Sequence, residues 1–281
     1  MRIKVRDTEL YFDVEGAGLV PDGPAMREKP TLLLLHGGPG FDHSGFKPGF
    51  SELTDVAQII YLDHRGQGRS DRADPSTWNL ADWGDDVRAF CEVLGIEKPI
   101  VLGQSFGGFV AMSYATRHPD HPAKLILSST SAKMRIDRIL AEFERLGGTE
   151  AREVAEAFWT GDDQPAALGP YMEICMPLYG QVAPHPDANA RVAFNLDVLF
   201  AFDPSDSMDF RADLARVQCP TLVMAGTEDP ITPVACHHDI LAALPDHIGT
   251  LEVFDGCGHG VFRDDPARGY GSIRNFITAS A

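Results

Sequence analysis

Hydrophobic and polar residues alternate along the chain in two patterns. Short, almost wholly apolar runs predict buried strands, and the segments between them have apolar residues at helical spacing. The apolar runs span residues 31–35, 59–62, 99–102, 125–127, 220–225 and 250–254. This succession of strands and helices predicts an α/β protein with a mainly parallel central sheet and helices on both faces.

Two local patterns near the start of the chain add detail. Residues 3–5 and 9–14 alternate across a polar turn and predict a hairpin, whereas residues 19–29, rich in proline, glycine and charge, predict an exposed loop. A later helix has Asn79 as a candidate N-cap and Gly95 just past its end. Its apolar stripe consists of Trp83, Val87, Phe90, Cys91 and Leu94. That stripe predicts a helix packed on the core.

About ninety residues separate the strand ending near Ser129 from the strand starting at Pro220. A crossover between parallel strands needs only about a dozen residues, so a separate unit is expected there. Apolar residues at helical spacing, such as Ile136, Leu140 and Phe143, predict that this unit is helical. We therefore expect a core formed by residues 1–133 and 211–281, with a helical cap at 134–210.

The most informative motif is Gly103-Gln104-Ser105-Phe106-Gly107, a GxSxG sequence. It follows an apolar strand-like run and precedes a helix-like segment, which is the context of a nucleophile elbow. A serine on such a sharp turn needs neighbours without side chains, and it lies at the positive end of the following helix. Ser105 is therefore the candidate nucleophile.

A serine nucleophile needs a base and a third group that orients the base. Asp229 and His259 lie after the last two predicted strands, so the order along the chain is Ser, Asp, His. Glu228 is the alternative acid, but Asp229 precedes a proline that fixes the direction of the loop. We therefore predict that Ser105, Asp229 and His259 form a catalytic triad.

Two backbone N–H groups are expected to stabilise the oxyanion. One belongs to Phe106, the residue after the nucleophile, and the other to the loop His36-Gly37-Gly38-Pro39-Gly40. Proline has no N–H group, which leaves three glycines, of which we select Gly38. The Gly38-Pro39 bond is predicted to be cis. His36 is a second candidate base, but we interpret it as a support for the loop.

The chain resembles the α/β-hydrolase superfamily over nearly its whole length. Within it, the HGGPG sequence at 36–40, DHRGQGRS at 63–70 and the GxSxG motif are similar to those of the proline iminopeptidase group of serine peptidases. The resemblance implies the α/β-hydrolase fold, the same triad, and oxyanion donors at Gly38 and Phe106. For residues 63–70 we favour a structural role, in which Asp63 and Arg65 brace the core.

Proline iminopeptidases hold the free amine of the substrate with glutamates in the cap, often beside a tryptophan. The resemblance makes Glu142, Glu144 and Glu173 candidate amine ligands, and Trp159 a candidate neighbour. The candidate substrate-binding residues are Gly37, Gln104, Glu173 and Trp159. This chain has His64 where the group carries glutamine, and Gln104 and Phe106 beside the serine. A carboxylesterase or lactonase therefore stays an alternative, with a non-catalytic receptor as a more remote one.

Composition limits the partners. The net charge of −17 disfavours nucleic acid and anionic membranes, and no apolar run is long enough for a membrane helix. Five cysteines without framework spacing suit a reducing compartment, so we expect a cytoplasmic enzyme. His237 and His238, on a helix predicted to lie at the surface, lack a third metal ligand, and we expect no metal or cofactor. The expected partner is a small molecule or short peptide, and the oligomeric state stays open.

Overall fold

The computed structural model describes residues 1–183, 187–202 and 208–279. Ten strands lie in this part of the chain: β1 Arg2–Val5, β2 Thr8–Glu15, β3 Leu19–Asp22, β4 Ala25–Glu28, β5 Thr31–Leu35, β6 Gln58–Leu62, β7 Ile100–Gln104, β8 Lys124–Ser128, β9 Thr221–Gly226 and β10 Gly249–Phe254. Eight of them form one sheet in the order β1-β2-β6-β5-β7-β8-β9-β10. The predicted hairpin at the start of the chain is confirmed as β1 and β2.

The sheet is antiparallel only at its first edge. β2 pairs antiparallel with β1 and β6, and all other neighbours in the eight-stranded sheet are parallel. Leu35 pairs with Gly103, Gln104 with Ser128, and Gly226 with Phe254. The carboxyl ends of the parallel strands therefore meet at one edge, and the loops that follow them lie together there.

Nine α-helices lie in the described residues: α1 Leu80–Leu94, α2 Phe106–Arg117, α3 Ile136–Thr160, α4 Gln164–Pro170, α5 Ala188–Arg191, α6 Leu196–Ala201, α7 Val234–Ala243, α8 Val261–Asp264 and α9 Pro266–Thr278. α3 is interrupted at Gly148, where φ is 76°. None of the described helices is long and apolar enough to cross a membrane.

The two faces of the sheet pack against different helices. Leu33 and Leu35 of β5 lie in one core cluster with residues of α1 and α2, whereas Leu32 and Leu34 lie in another with residues of α9. This division follows from the strand period of two residues, since neighbouring side chains point to opposite faces. The α/β-hydrolase fold, with a mainly parallel sheet and helices on both faces, is thereby confirmed.

The local predictions around the sheet have mixed outcomes. In α1, the Asn79 side chain accepts from the Asp82 amide and Gly95 ends the helix at φ 68°, as the sequence indicated. The loop predicted at 19–29 is wrong, because β3 and β4 form an antiparallel hairpin there. Both strands are largely exposed and have almost no side that faces the core. Their composition is therefore that of a loop, and the hydrophobic pattern does not reveal the strand pair.

The segment between β8 and β9 is helical and has its own apolar cluster. Phe143 and Phe158 of α3 pack there with Tyr171, which lies on a π-helical turn at Tyr171–Cys175. At its base, Lys133 and Asp209 form an antiparallel bridge, so the two ends of the segment lie side by side. We call residues 134–210 the insertion; its role as a cap stays a prediction.

Candidate active site

The turn after β7 has the strained geometry expected of an elbow. Ser105 adopts φ 54° and ψ −121° and is the N-cap residue of α2. A Cβ atom at Gly103 would lie 2.3 Å from the Gly107 carbonyl oxygen, and one at Gly107 would lie 2.0 Å from the Leu35 carbonyl oxygen. Both positions therefore exclude any side chain, because the neighbouring atoms belong to the backbone.

We predict that Gly107→Ala lowers the free energy of unfolding by about 3 kcal/mol, because its methyl group would overlap the backbone of β5. Gly271→Ala is the matched control, since Gly271 lies inside α9. In the described part of the chain, no atom beyond its neighbours and the backbone of its own helix lies within 4 Å of the place its methyl group would take. That control should gain about 0.5–1 kcal/mol from helix propensity. Urea unfolding measures both, and equal stabilities would contradict the steric argument.

Ser105, His259 and Asp229 lie in one hydrogen-bonded line. The Ser105 Oγ atom is 2.8 Å from Nε2 of His259, and Nδ1 of His259 is 2.9 Å from each carboxylate oxygen of Asp229. Since an ionised carboxylate only accepts, Nδ1 carries the hydrogen and Nε2 accepts from the serine hydroxyl. Asp229 is fully buried and His259 is 5% exposed. The arrangement can take a proton from Ser105.

The carboxylate of Asp229 is held by several donors. Its Oδ1 atom accepts from the amides of Ile231 and Thr232, each at 2.8 Å, and its Oδ2 atom accepts from the Thr232 hydroxyl at 2.7 Å. Burial alone would raise the pKa of Asp229, but His259 and these hydrogen bonds lower it to about 2. Glu228 instead pairs with Arg145 at 2.9 Å, so Asp229 is the acid in contact with the imidazole.

The glycine loop, residues 36–40, lies beside the serine. A Cβ atom at Gly37 would be 3.3 Å from that of Ser105, Gly38 has φ 139°, and the Gly38-Pro39 bond is cis, as predicted. The Phe106 amide is the first of α2, so no helical carbonyl precedes it. Phe106 is 2% exposed, and its ring packs edge to face against Trp83 at 5.1 Å, so the side chain belongs to the core.

His36 supports the glycine loop from behind. Its Nδ1 atom is 2.7 Å from the Gly37 carbonyl oxygen, and its Nε2 atom accepts from the His64 amide at 3.2 Å. Burial lowers the pKa of both His36 and His64, so these rings are neutral. Both ring nitrogens of His36 have partners, which agrees with its interpretation as a support.

The arginine loop, residues 63–70, braces the core as its structural interpretation requires. Asp63 accepts from the His43 amide at 2.9 Å and from the Arg69 amide at 2.8 Å. The buried Arg65 guanidinium donates to both carboxylate oxygens of Asp86, at 2.7 and 2.8 Å. These contacts fix the loop next to the glycine loop.

The predicted substrate-binding residues differ in their surroundings. Gln104 donates through Nε2 to the His259 carbonyl oxygen at 3.1 Å. Trp159 donates through Nε1 to the Tyr171 hydroxyl at 3.1 Å, inside the insertion, and Glu173 is exposed on the neighbouring π-helical turn. Their roles, like that of Gly37, stay predictions.

Two residues that no sequence motif indicates, Tyr179 and Asp264, hold the loop of His259. The His259 amide donates to the Tyr179 carbonyl oxygen at 2.6 Å, and the two rings meet edge to face at 5.3 Å. Asp264 accepts from the Gly258 amide at 2.7 Å and from the Gln181 amide at 3.0 Å. Both contacts join the insertion to the loop of His259, and only the tertiary structure brings these residues together.

One prediction about the surface is wrong. His237 was expected on a surface helix, but it is fully buried, and its Nε2 atom accepts from the Thr130 amide at 3.3 Å. Burial lowers the pKa of His237 to about 4. The adjacent histidines of α7 therefore misled, because His237 accepts from a buried amide instead of facing solvent, whereas His238 is exposed.

A serine on a strand-to-helix turn, with an acid and a histidine on loops after later strands of a parallel sheet, defines an α/β-hydrolase. The chain belongs to the Hydrolase_4 family, described as "Serine aminopeptidase, S33", whose model matches residues 28–266. The protein is accordingly a serine hydrolase.

Three relatives illustrate the range of similarity. A proline iminopeptidase from Lactobacillus helveticus is 30% identical over 275 residues, covering 90% of this chain and 89% of the relative. The crystal structure of a proline iminopeptidase from Mycobacterium smegmatis has a TM-score of 0.74 at 23% identity, covering 99% of this chain and 97% of the other. An esterase from Exiguobacterium antarcticum has a TM-score of 0.74 at 21% identity, covering 99% of each chain. The last two similarities support the fold alone.

Proposed function

We propose that the protein hydrolyses a small ester or amide through an acyl-enzyme on Ser105. The observation that carries this proposal is the continuous line from the Ser105 hydroxyl through His259 to buried Asp229, with contacts of 2.8 and 2.9 Å. In this line Ser105 is the nucleophile, His259 the general base and Asp229 the group that orients the imidazole.

The chemistry follows from these contacts. Ser105 Oγ attacks the substrate carbonyl carbon while Nε2 of His259 takes its proton, and the amides of Gly38 and Phe106 donate to the resulting oxyanion. His259 then gives the proton to the leaving alcohol or amine. Water repeats both steps on the ester of Ser105 and releases the acid. Because its pKa is lowered to about 2, the Asp229 carboxylate stays ionised throughout, and it stabilises the imidazolium each time His259 holds the proton.

Peptides with an N-terminal proline are one candidate substrate class, and their cleavage would make the protein an aminopeptidase. Its support is the HGGPG sequence at 36–40 and the relatives named proline iminopeptidase. Binding a protonated amine in a partly buried site requires a carboxylate whose charge is not already neutralised by the protein. Whether an acid of the insertion is free to bind an amine therefore distinguishes an aminopeptidase from a carboxylesterase or lactonase.

The surroundings of these acids favour an ester or lactone. Glu142 accepts from Arg145 at 2.6 Å, and Glu144 lies 3.7 Å from Arg152. Glu173 is exposed to solvent, where an ion pair with an amine contributes little. Of the two classes, we therefore propose the carboxylesterase or lactonase as the better match to the geometry. The insertion at 134–210 would act as a cap that excludes water from the acyl group.

A matched pair of substrates tests this proposal: a prolyl arylamide with a free amine and a short-chain aryl ester, each with Ser105→Ala as the control. We expect ester hydrolysis that is lost in the variant, and at most weak arylamide hydrolysis. Efficient arylamide cleavage that disappears on N-acetylation would instead establish the aminopeptidase. No hydrolysis of either substrate by the wild type would favour a non-catalytic receptor.

A further inference from the structure

The glycine loop is held on two sides at Gly40. The Gly40 amide donates to Oε1 of Gln67 at 2.7 Å, and the Gly40 carbonyl oxygen accepts from the Asn195 amide at 2.8 Å. Gln67 is fully buried in the arginine loop, and Asn195 of the insertion is 6% exposed. Both polar groups of this one residue are therefore fixed, one by the core and one by the insertion.

The Asn195 side chain also contacts the arginine loop directly. Its Nδ2 atom donates to the Gly66 carbonyl oxygen at 2.6 Å, and its Oδ1 atom accepts from the Asp197 amide at 3.3 Å. The side chain thus caps α6 and, with the same amide group, reaches the arginine loop beside Gln67. One buried asparagine therefore joins the glycine loop, the arginine loop and the insertion.

The backbone approach at this point leaves no room for adjustment. A Cβ atom at Gly40, where φ is 90°, would lie 2.5 Å from the Asn195 carbonyl oxygen. Nearby, Asp42 accepts from the Ala193 amide at 3.0 Å, and Arg69 donates to the Arg191 carbonyl oxygen at 3.1 Å. The insertion is docked here through several polar contacts, so Asn195 has a fixed position from which to hold the loop.

We infer that Asn195 is a positioning residue for the oxyanion donor at Gly38, an inference that rests on the proposed function. Only Pro39 separates Gly38 from Gly40, and its ring fixes one of the intervening torsions. A constraint on the Gly40 peptide is therefore passed to the Gly38 amide next to Ser105. The insertion then orders the oxyanion site as well as covering it, and the site is complete only when Asn195 is docked.

Asn195→Asp tests the inference because it removes the Nδ2 donor and keeps Oδ1 as the cap of α6. We expect kcat to fall by about 10- to 100-fold with KM within about twofold, since a misplaced donor acts on the transition state. An alkyl trifluoromethyl ketone, which forms an oxyanion on the serine, should lose affinity by the same factor as kcat/KM. Asp197→Asn is the control; its exposed side chain is absent from the contacts that hold the loop, and it should match the wild type.

Gln67→Met provides a second test if Asn195→Asp does not fold, because Gln67 holds Gly40 from the other side. Among the described residues Nε2 of Gln67 has no partner, so this variant loses chiefly the Oε1 contact with Gly40. Unchanged affinity for the trifluoromethyl ketone in a folded variant, or a parallel loss in Asp197→Asn, would overturn the inference. Retained hydrolysis in Ser105→Ala would instead overturn the proposed function, and the two failures are therefore distinguishable.

Discussion

Replacing Ser105 with alanine is expected to lower kcat/KM by about 10⁴- to 10⁶-fold on whichever substrate the wild type hydrolyses. In the proposed mechanism the variant loses the atom that attacks the carbonyl, while the proposed oxyanion donors at Gly38 and Phe106 remain and leave a small residual rate. Because alanine is smaller than serine and the turn is shaped by Gly103 and Gly107, the fold should be unchanged. Steady-state hydrolysis and thermal unfolding measure the two expectations.

Ser128 provides a control within the same part of the fold. Its backbone carbonyl accepts from the Ser105 amide at 3.0 Å, but its buried hydroxyl has no hydrogen-bond partner in the described part of the chain. Ser128→Ala should therefore keep activity close to that of the wild type. If Ser105→Ala retained comparable turnover, or if both alanine variants were equally inactive, Ser105 could not be assigned as the nucleophile.

The parts of the site that the sequence predicts are those encoded locally. The Ser105 turn needs glycines at two positions because neighbouring carbonyl oxygens occupy the space of a side chain. Asp229 and His259 follow strands whose apolar runs are evident, and parallel pairing brings the ends of those strands to one edge. Strand pattern and turn chemistry were together sufficient to predict which residues meet.

Other features depend on partners far along the chain and have no local pattern. Asn195 contacts Gly66, which lies 129 positions earlier in the sequence, and Tyr179 of the insertion contacts His259, which lies 80 positions later. His237 lies on a helix predicted at the surface, yet it is buried and accepts from the Thr130 amide. A single sequence carries the residue types of these contacts, whereas their pairing is determined by how the insertion docks on the core.

The Asp229 carboxylate also makes the free energy of unfolding of the wild type depend on pH in the acid range. Its pKa is lowered to about 2 in the folded protein, against about 4 in an unfolded chain. The stability it contributes is therefore present above about pH 4 and is lost as pH falls towards 2. An asparagine at position 229 does not titrate. The stability of Asp229→Asn should therefore fall less than that of the wild type between about pH 4 and pH 2.

Asp229→Asn is expected to lower kcat by about 10⁴-fold while leaving the shape of the site intact. An asparagine amide can donate to Nδ1 of His259, which favours the tautomer whose Nε2 carries the hydrogen and cannot accept from Ser105. The backbone amides of Ile231 and Thr232 can still donate to the remaining oxygen. The loss should therefore be in kcat, with KM changed little.

Glu228→Gln is the matched control for this variant, because Glu228 is the neighbouring acid and pairs with the half-exposed Arg145 instead of the imidazole. We expect its kcat within about twofold of the wild type, since exposed ion pairs contribute little. A large loss in Glu228→Gln with normal turnover in Asp229→Asn would reverse the assignment of the acid. Equal, small losses in both would mean that His259 is oriented by its contacts with Tyr179 and Gln104, so that the buried carboxylate is not required.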